Sequence, residues 1–259
     1  MPDRPTIAEL RARTQPPEVR GRRNSEHWTA DLYQRRLSPY LTRVLVGTAL
    51  TANAVTCLMI LTGAAAGAAL LVPGLVGAVL AAFLGQLQML LDCSDGEVAR
   101  WRGISSPVGI FLDKVGHYTA EGLIPIALGV RADGGLGSIG GWTTLGALLS
   151  VLVLYNKVLN DAVHVARSAA GLPRLEDRAE SAAPTVAGIR RLRSMARFLP
   201  FQRVFHSVEL TLLGLLAAIV DAIVGDLTGT QGLVVVLLPV AVVTIGGHLL
   251  AILTSSRLR

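Results

Sequence analysis

The sequence predicts an all-α, polytopic membrane protein with six transmembrane helices, and three observations carry that reading. The first is composition. Of 259 residues, 51% are hydrophobic and only 16% charged, with a mean hydropathy of +0.52, whereas a soluble domain carries about a quarter charged residues. The second is the placement of the charge. Residues 44–91, 136–156 and 227–256 contain no Asp, Glu, Lys or Arg, and the first run is long enough for two spans of about 20 residues each. The third is the sign asymmetry. With both termini cytoplasmic, Arg131 alone of the 24 Lys and Arg falls on the outer side, as the positive-inside rule requires.

The six spans are expected near residues 53–72, 74–99, 107–130, 139–165, 204–224 and 232–254. Breakers separate several of them: Pro73-Gly74, Gly134-Gly135 and the stretch 225–232. The net charge of +6 then belongs to an inner, cytoplasmic membrane face and its lipids. No soluble basic module is present that would argue for nucleic acid. Residues 1–43 hold nine Arg and no apolar core of the kind a cleavable signal needs. Cys57 and Cys93 lack metal-ligand spacing and read as small packing residues.

Three segments flank or interrupt the spans. Residues 1–25, rich in Pro, Arg and Glu, read as a disordered basic arm. Residues 26–46 place Trp28, Leu32, Tyr33 and Leu37 among Arg35, Arg36 and Arg43, which suits an amphipathic helix lying on the inner leaflet. The membrane domain follows over 47–256. Its connection at 167–203 contains Pro173, Pro184, Pro200 and an Arg cluster at 190, 191, 193 and 197. That cluster reads either as a solvated headgroup-binding loop or as a contact for substrate phosphate.

The chemistry sits at the junction of the second and third spans. Carboxylates in a span cost on the order of 2.5–3.5 kcal/mol each on insertion scales, yet Asp92 and Asp95 share a helix face, and Asp113, His117 and Glu121 share a face of the next helix. A short connection makes these helices antiparallel neighbours whose acidic faces can meet. Like charges a few ångströms apart repel strongly, so a cation between them is expected. Oxygen ligands favour a hard ion such as Mg²⁺ or Mn²⁺. Gly96 and Ala99 leave one helix face open to a ligand, Arg100 offers a donor fork to phosphate, and Gly109 opens the facing helix. Glu97, beside these residues, reads as facing the cytoplasm or pairing with Arg.

The pattern Asp92-x2-Asp95-Gly96-x2-Ala99-Arg100-x8-Gly109-x3-Asp113-x3 closely resembles the signature of the CDP-alcohol phosphotransferase family. The stretch Thr51-Ala52-Asn53-Ala54-Val55-Thr56 is similar to that family's Pro-Asn-x-x-Thr. The resemblance implies metal binding by Asp92, Asp95 and Asp113. It implies CDP contacts from Gly96, Arg100 and Ser106, with Ala99, Gly109, Thr51 and Asn53 also on the donor side. It further implies a CDP-alcohol donor such as CDP-diacylglycerol, an alcohol acceptor, a site at the cytoplasmic end of the spans and a homodimer. The acceptor candidates are Lys157, Arg167, Arg190 and Arg191.

One position departs from the signature. Where the family has a fourth Asp, taken as general base, this chain has His117. Imidazole, with an ordinary pKa of about 6.5, can itself serve as base, with Glu121 supplying the missing carboxylate. Alternatively the chain binds CDP-alcohol and metal with impaired turnover, or Glu121 or Asp161 is the base of a specialised subfamily. Acids paired with Lys114 would also fit a cation or proton transporter, although that reading gives Gly96, Ala99, Arg100 and Gly109 nothing to do.

Overall fold

The computed structural model describes residues 5–17, 28–173 and 203–258. All regular structure among them is helical. A short helix, α1 (Ile7–Thr14), comes first. A π-helical turn (Ala30–Gln34) then runs into α2 (Arg35–Val46). Six long helices follow: α3 (Ala52–Leu70), α4 (Gly74–Arg102), α5 (Pro107–Ala132), α6 (Gly141–Ala169), α7 (Ser207–Val224) and α8 (Thr228–Thr254).

Two of the expected breakers bound these helices directly: Pro73 precedes α4, and Gly225, left-handed at φ 85°, ends α7. Thr51 caps α3, its hydroxyl accepting the Ala54 N–H at 3.2 Å. At the other end of α4, Gly103 takes the left-handed conformation (φ 67°) and stops the helix. Ser106 caps α5 with Pro107 at its first position, where a missing N–H costs nothing.

Five of the six long helices (α3, α4, α6, α7 and α8) are long and apolar enough to cross a membrane, which points to an integral membrane protein. Large apolar side chains face outward along them, among them Leu61, Val76, Phe83, Val151, Ile223 and Val243. The sixth, α5, is 26 residues long but carries Asp113, Lys114, His117, Glu121 and Arg131. That load of charge lowers its hydropathy, so its length fits a span while its composition does not.

The helix pairing sets the site. Both α4 and α5 pack closely on α3, and both touch α7, but they do not pack closely on each other. The acidic faces of the two helices meet through their side chains, as the short connection suggests, but α3 and α7 hold the backbones apart, leaving a cleft that the partly exposed Asp92, Asp113 and His117 side chains enter. The apolar core, with Leu70, Ile124, Leu128, Leu149, Leu210 and Leu237, fills the half of the bundle away from that cleft. There α5 and α6 approach at Gly129 and Gly146, where an added Cβ on Gly129 would come within 2.9 Å of the Gly146 Cα. The Arg131 guanidinium, buried at the same end, donates to the carbonyls of Val72 (3.1 Å) and Gly74 (2.7 Å) across the α3–α4 turn. Asp133 accepts the N–H groups of Gly140 and Thr143 and the Thr143 hydroxyl at the start of α6. These donors, the Thr143 hydroxyl foremost, hold its carboxyl below the ordinary Asp range.

The N-terminal segment departs from expectation at residues 7–14, which are helical rather than disordered. The Thr6–Glu9 capping box starts the helix, each side chain satisfying the other's backbone N–H. Tertiary contacts then hold it against α4. The rest of the expected arm, at residues 1–4 and 18–25, lies outside the described residues. Glu97, in the last turns of α4, is fully buried rather than cytoplasm-facing. Its carboxylate accepts from Gln15 (2.8 Å), Ser38 (2.5 Å) and Thr42 (2.7 Å), with the Arg35 guanidinium 3.7 Å away. Thus α2 turns its polar face inward onto Glu97 and leaves Leu37, Tyr40 and Val44 exposed.

Removing that acceptor leaves buried donors unsatisfied, at a cost of about 1–3 kcal/mol. Glu97→Leu is therefore expected to raise tryptic cleavage at Arg11 and Arg13 by roughly tenfold or more, scored on the purified protein by mass spectrometry. Unchanged cleavage would mean that Glu97 does not hold the segment.

Candidate active site

The α4–α5 cleft opens at the end of the bundle that carries α1 and α2, where α4 ends and α5 begins. Asp92 projects into it from α4, and Asp113 and His117 from α5. The His117 Nε2 lies 3.2 Å from Asp92 Oδ1 and 3.7 Å from Asp113 Oδ1. One donor atom from each of the three falls within 4.8 Å of the others, close enough for one metal ion. Two carboxylates facing one imidazole nitrogen is a donor set that fits a divalent cation.

Asp95 lies one turn beyond Asp92 on α4 and is not in that group of three. Its Oδ2 accepts the Thr56 hydroxyl from α3 at 2.7 Å. Thr56 was within reach of sequence reasoning, because it belongs to the noted 51–56 stretch. Its pairing with Asp95, 39 positions away, depends on the packing of α3 against α4.

Behind His117, Glu121 is fully buried and answers to a different set of partners. Its Oε1 accepts Lys157 Nζ from α6 at 2.7 Å and lies 3.1 Å from His206 Nδ1, just before α7. The distance to His117 Nδ1 is 3.8 Å, and both that nitrogen and Glu121 Oε2 are buried without a hydrogen-bond partner. A second acid is matched in the same way: Asp161 on α6 pairs with Lys114 at 3.0 Å and with the Tyr118 hydroxyl.

The donor-side residues fall into two groups. Thr51 and Ser106 use their hydroxyls as helix caps. The Asn53 side chain lies against Gly109, where an added Cβ would approach its Oδ1 to 3.1 Å. The space over Gly96 holds the Arg100 guanidinium, 3.1 Å from where a Cβ would stand. Arg100 Nε also donates to the Thr14 carbonyl of α1 at 2.6 Å, and Arg13 stacks over Trp101 at 4.9 Å. Gly96 thus makes room for an arginine at the cleft mouth, which the motif spacing alone does not reveal. Ala99 lies one turn beyond Asp95 on α4, its small side chain adding no bulk there.

The acceptor candidates disperse. Lys157 sits beside the cluster on Glu121. Arg167 is used elsewhere, donating to the carbonyls of Pro173 (2.8 Å) and Arg257 (2.8 Å). Arg190 and Arg191 lie outside the described residues.

A sequence model of the CDP-alcohol phosphatidyltransferase family matches residues 49–212, more than half of the chain. The chain belongs to the CDP-alcohol phosphatidyltransferase family. That family transfers phosphate-containing groups, which places this protein in phospholipid-type transferase chemistry. No curated protein sequence matches the chain.

Thr56→Val keeps the side chain's shape but removes the donor to Asp95. A hydrogen bond to a charged group contributes about 1.5–3 kcal/mol, so Mn²⁺-dependent CDP binding is expected to weaken roughly tenfold or more in calorimetric titration. Wild-type affinity in the variant would remove Thr56 from the site.

Proposed function

We propose that this protein transfers a phosphoalcohol group, phosphatidyl foremost, from a CDP-alcohol such as CDP-diacylglycerol to an acceptor alcohol, releasing CMP. The observation that carries the reading is the meeting of Asp92 and Asp113 across the cleft, within the family-matched segment. Asp92, Asp113 and Asp95 would hold a divalent ion, Mg²⁺ or Mn²⁺. That ion would supply charge neutralisation and polarise the phosphate oxygens under attack.

The chain's own groups divide the remaining work. Arg100, at the cleft mouth, presents its guanidinium to the donor phosphates. Gly96, Ala99 and Gly109 keep bulk away from the diphosphate, and Thr51, Asn53 and Ser106 shape the loop ends beside it. The acceptor hydroxyl attacks the phosphorus that bears the alcohol. The P–O bond to CMP breaks, and the hydroxyl proton passes to Asp113, the most exposed carboxylate of the Asp92–Asp113–His117 cluster. Glu121 and Asp161 are poorer bases than that cluster, because each carboxylate is already matched by a lysine and by a second partner: His206 for Glu121 and Tyr118 for Asp161. Lys157 borders the acceptor side.

The same reading places α5 as the sixth span, both termini and the cleft on the cytoplasmic side, and α2 on the inner leaflet. The exposed Leu37, Tyr40 and Val44 support that last placement. A homodimer in the inner membrane completes it.

The test supplies purified protein with Mg²⁺ or Mn²⁺, labelled CDP-diacylglycerol and a panel of polyol, polyol-phosphate and lipid alcohols, following CMP. Metal-dependent release with at least one acceptor is expected, and Asp92→Asn should reduce it by more than about 100-fold, beyond the range for outer-shell partners of a metal. CDP binding without CMP release from any acceptor would instead mark a binding member of the family.

A further inference from the structure

The two nitrogens of His117 face different surroundings, and this decides what the residue can do. Nε2 points at Asp92 Oδ1 (3.2 Å) and Asp113 Oδ1 (3.7 Å), while Nδ1 points away toward Glu121 Oε1 (3.8 Å). Glu121 is anchored by Lys157 and His206, yet its Oε2 is buried with no partner, as is His117 Nδ1. A buried ring nitrogen and a buried carboxylate oxygen left unpartnered are costly, and Glu121 is the carboxylate within 3.8 Å that a proton on Nδ1 would serve. In a neutral imidazole, that proton on Nδ1 leaves the lone pair on Nε2. That lone pair faces Asp92 and Asp113, so a metal ion held by the two carboxylates lies within reach of Nε2 as a third ligand.

We propose that His117 is a metal ligand through Nε2, backed by Glu121, and that this mixed nitrogen–oxygen site selects Mn²⁺ over Mg²⁺. The proposal rests on the metal-binding reading above and adds to it the ligand and the selectivity. A carboxylate behind a ligating histidine fixes the ring's tautomer and strengthens it as a ligand. An imidazole donor favours first-row transition ions, whereas Mg²⁺ prefers oxygen and sheds its water reluctantly. His117 standing in place of a carboxylate is then a change of metal preference. Glu121 is a positioning residue, acting through His117.

The experiment uses untagged full-length protein in lipid nanodiscs, loaded with Mn²⁺ and examined by pulsed electron paramagnetic resonance. A ¹⁴N coupling to Mn²⁺ is expected, converting to the ¹⁵N pattern when the protein is made with ¹⁵N-histidine. That labelling needs no variant and so is unaffected by misfolding. The coupling should vanish in His117→Gln and persist in Glu121→Gln, whose Mn²⁺ affinity should fall roughly 10-fold or more. Mg²⁺ should displace Mn²⁺ at least about tenfold more readily from His117→Asp than from the wild type. Mn²⁺ that binds and is lost in Asp92→Asn, but shows no histidine coupling, overturns the ligand assignment alone. A coupling that survives in His117→Gln overturns it as well. Mn²⁺ binding that is absent, or indifferent to Asp92→Asn, overturns the metal-site reading and this inference with it.

Discussion

The structure depends on one constraint: a carboxylate inside a helical bundle of this apolarity must be matched. Unmatched, it would cost several kilocalories per mole or give up its charge. Most acids near the cleft have their answer on a distant segment of the chain. Glu97 is met by Gln15 and by Ser38 and Thr42 of α2, Asp95 by Thr56 of α3, Glu121 by Lys157 of α6 and His206, and Asp161 by Lys114 and Tyr118 of α5. Asp92 and Asp113 share a single imidazole between them. Two carboxylates against one ring leave room for further positive charge, and that is where the chemistry is expected.

These pairings also explain the assembly. Because α4 and α5 are held by α3 and α7 rather than by each other, Asp92 and Asp113 meet through side chains, within 4.8 Å of one another around His117, while the backbones stay apart. The apolar core and the close Gly129–Gly146 approach keep the far half of the bundle tight. At the near end, α1 reaches the cleft mouth through the Thr14 carbonyl on Arg100. The N-terminal segment is therefore part of the environment of the arginine assigned to donor phosphate.

Much of this was legible in the sequence because it is local. The spacing of Asp92, Asp95, Gly96, Ala99, Arg100, Gly109 and Asp113 follows from helix periodicity, and the breaks at Pro73-Gly74 and near Gly225 follow from backbone chemistry. Charge-free runs located α3, α8 and the greater part of α4 and α6. What the sequence did not disclose depends on packing between distant segments. The matching of Glu97 with Gln15 spans 82 positions and that of Glu121 with His206 spans 85. Helix α1 was hidden differently: its capping box Thr6-x2-Glu9 is local, but the basic, proline-flanked composition masks a short helix whose docking comes from α4. Arg167 resembled a substrate contact in sequence, yet it serves the carbonyls of Pro173 and Arg257.

The central claim is that a metal ion belongs where Asp92, Asp113 and His117 converge. Its most direct test is anomalous scattering from crystals of the full chain grown with Mn²⁺ and CDP. The expected result is a Mn²⁺ peak in the α4–α5 cleft, bonded to Asp92, Asp113 and His117 Nε2, with the CDP phosphates beside it. A peak elsewhere on the protein, or an empty cleft at saturating Mn²⁺ and CDP, would contradict it.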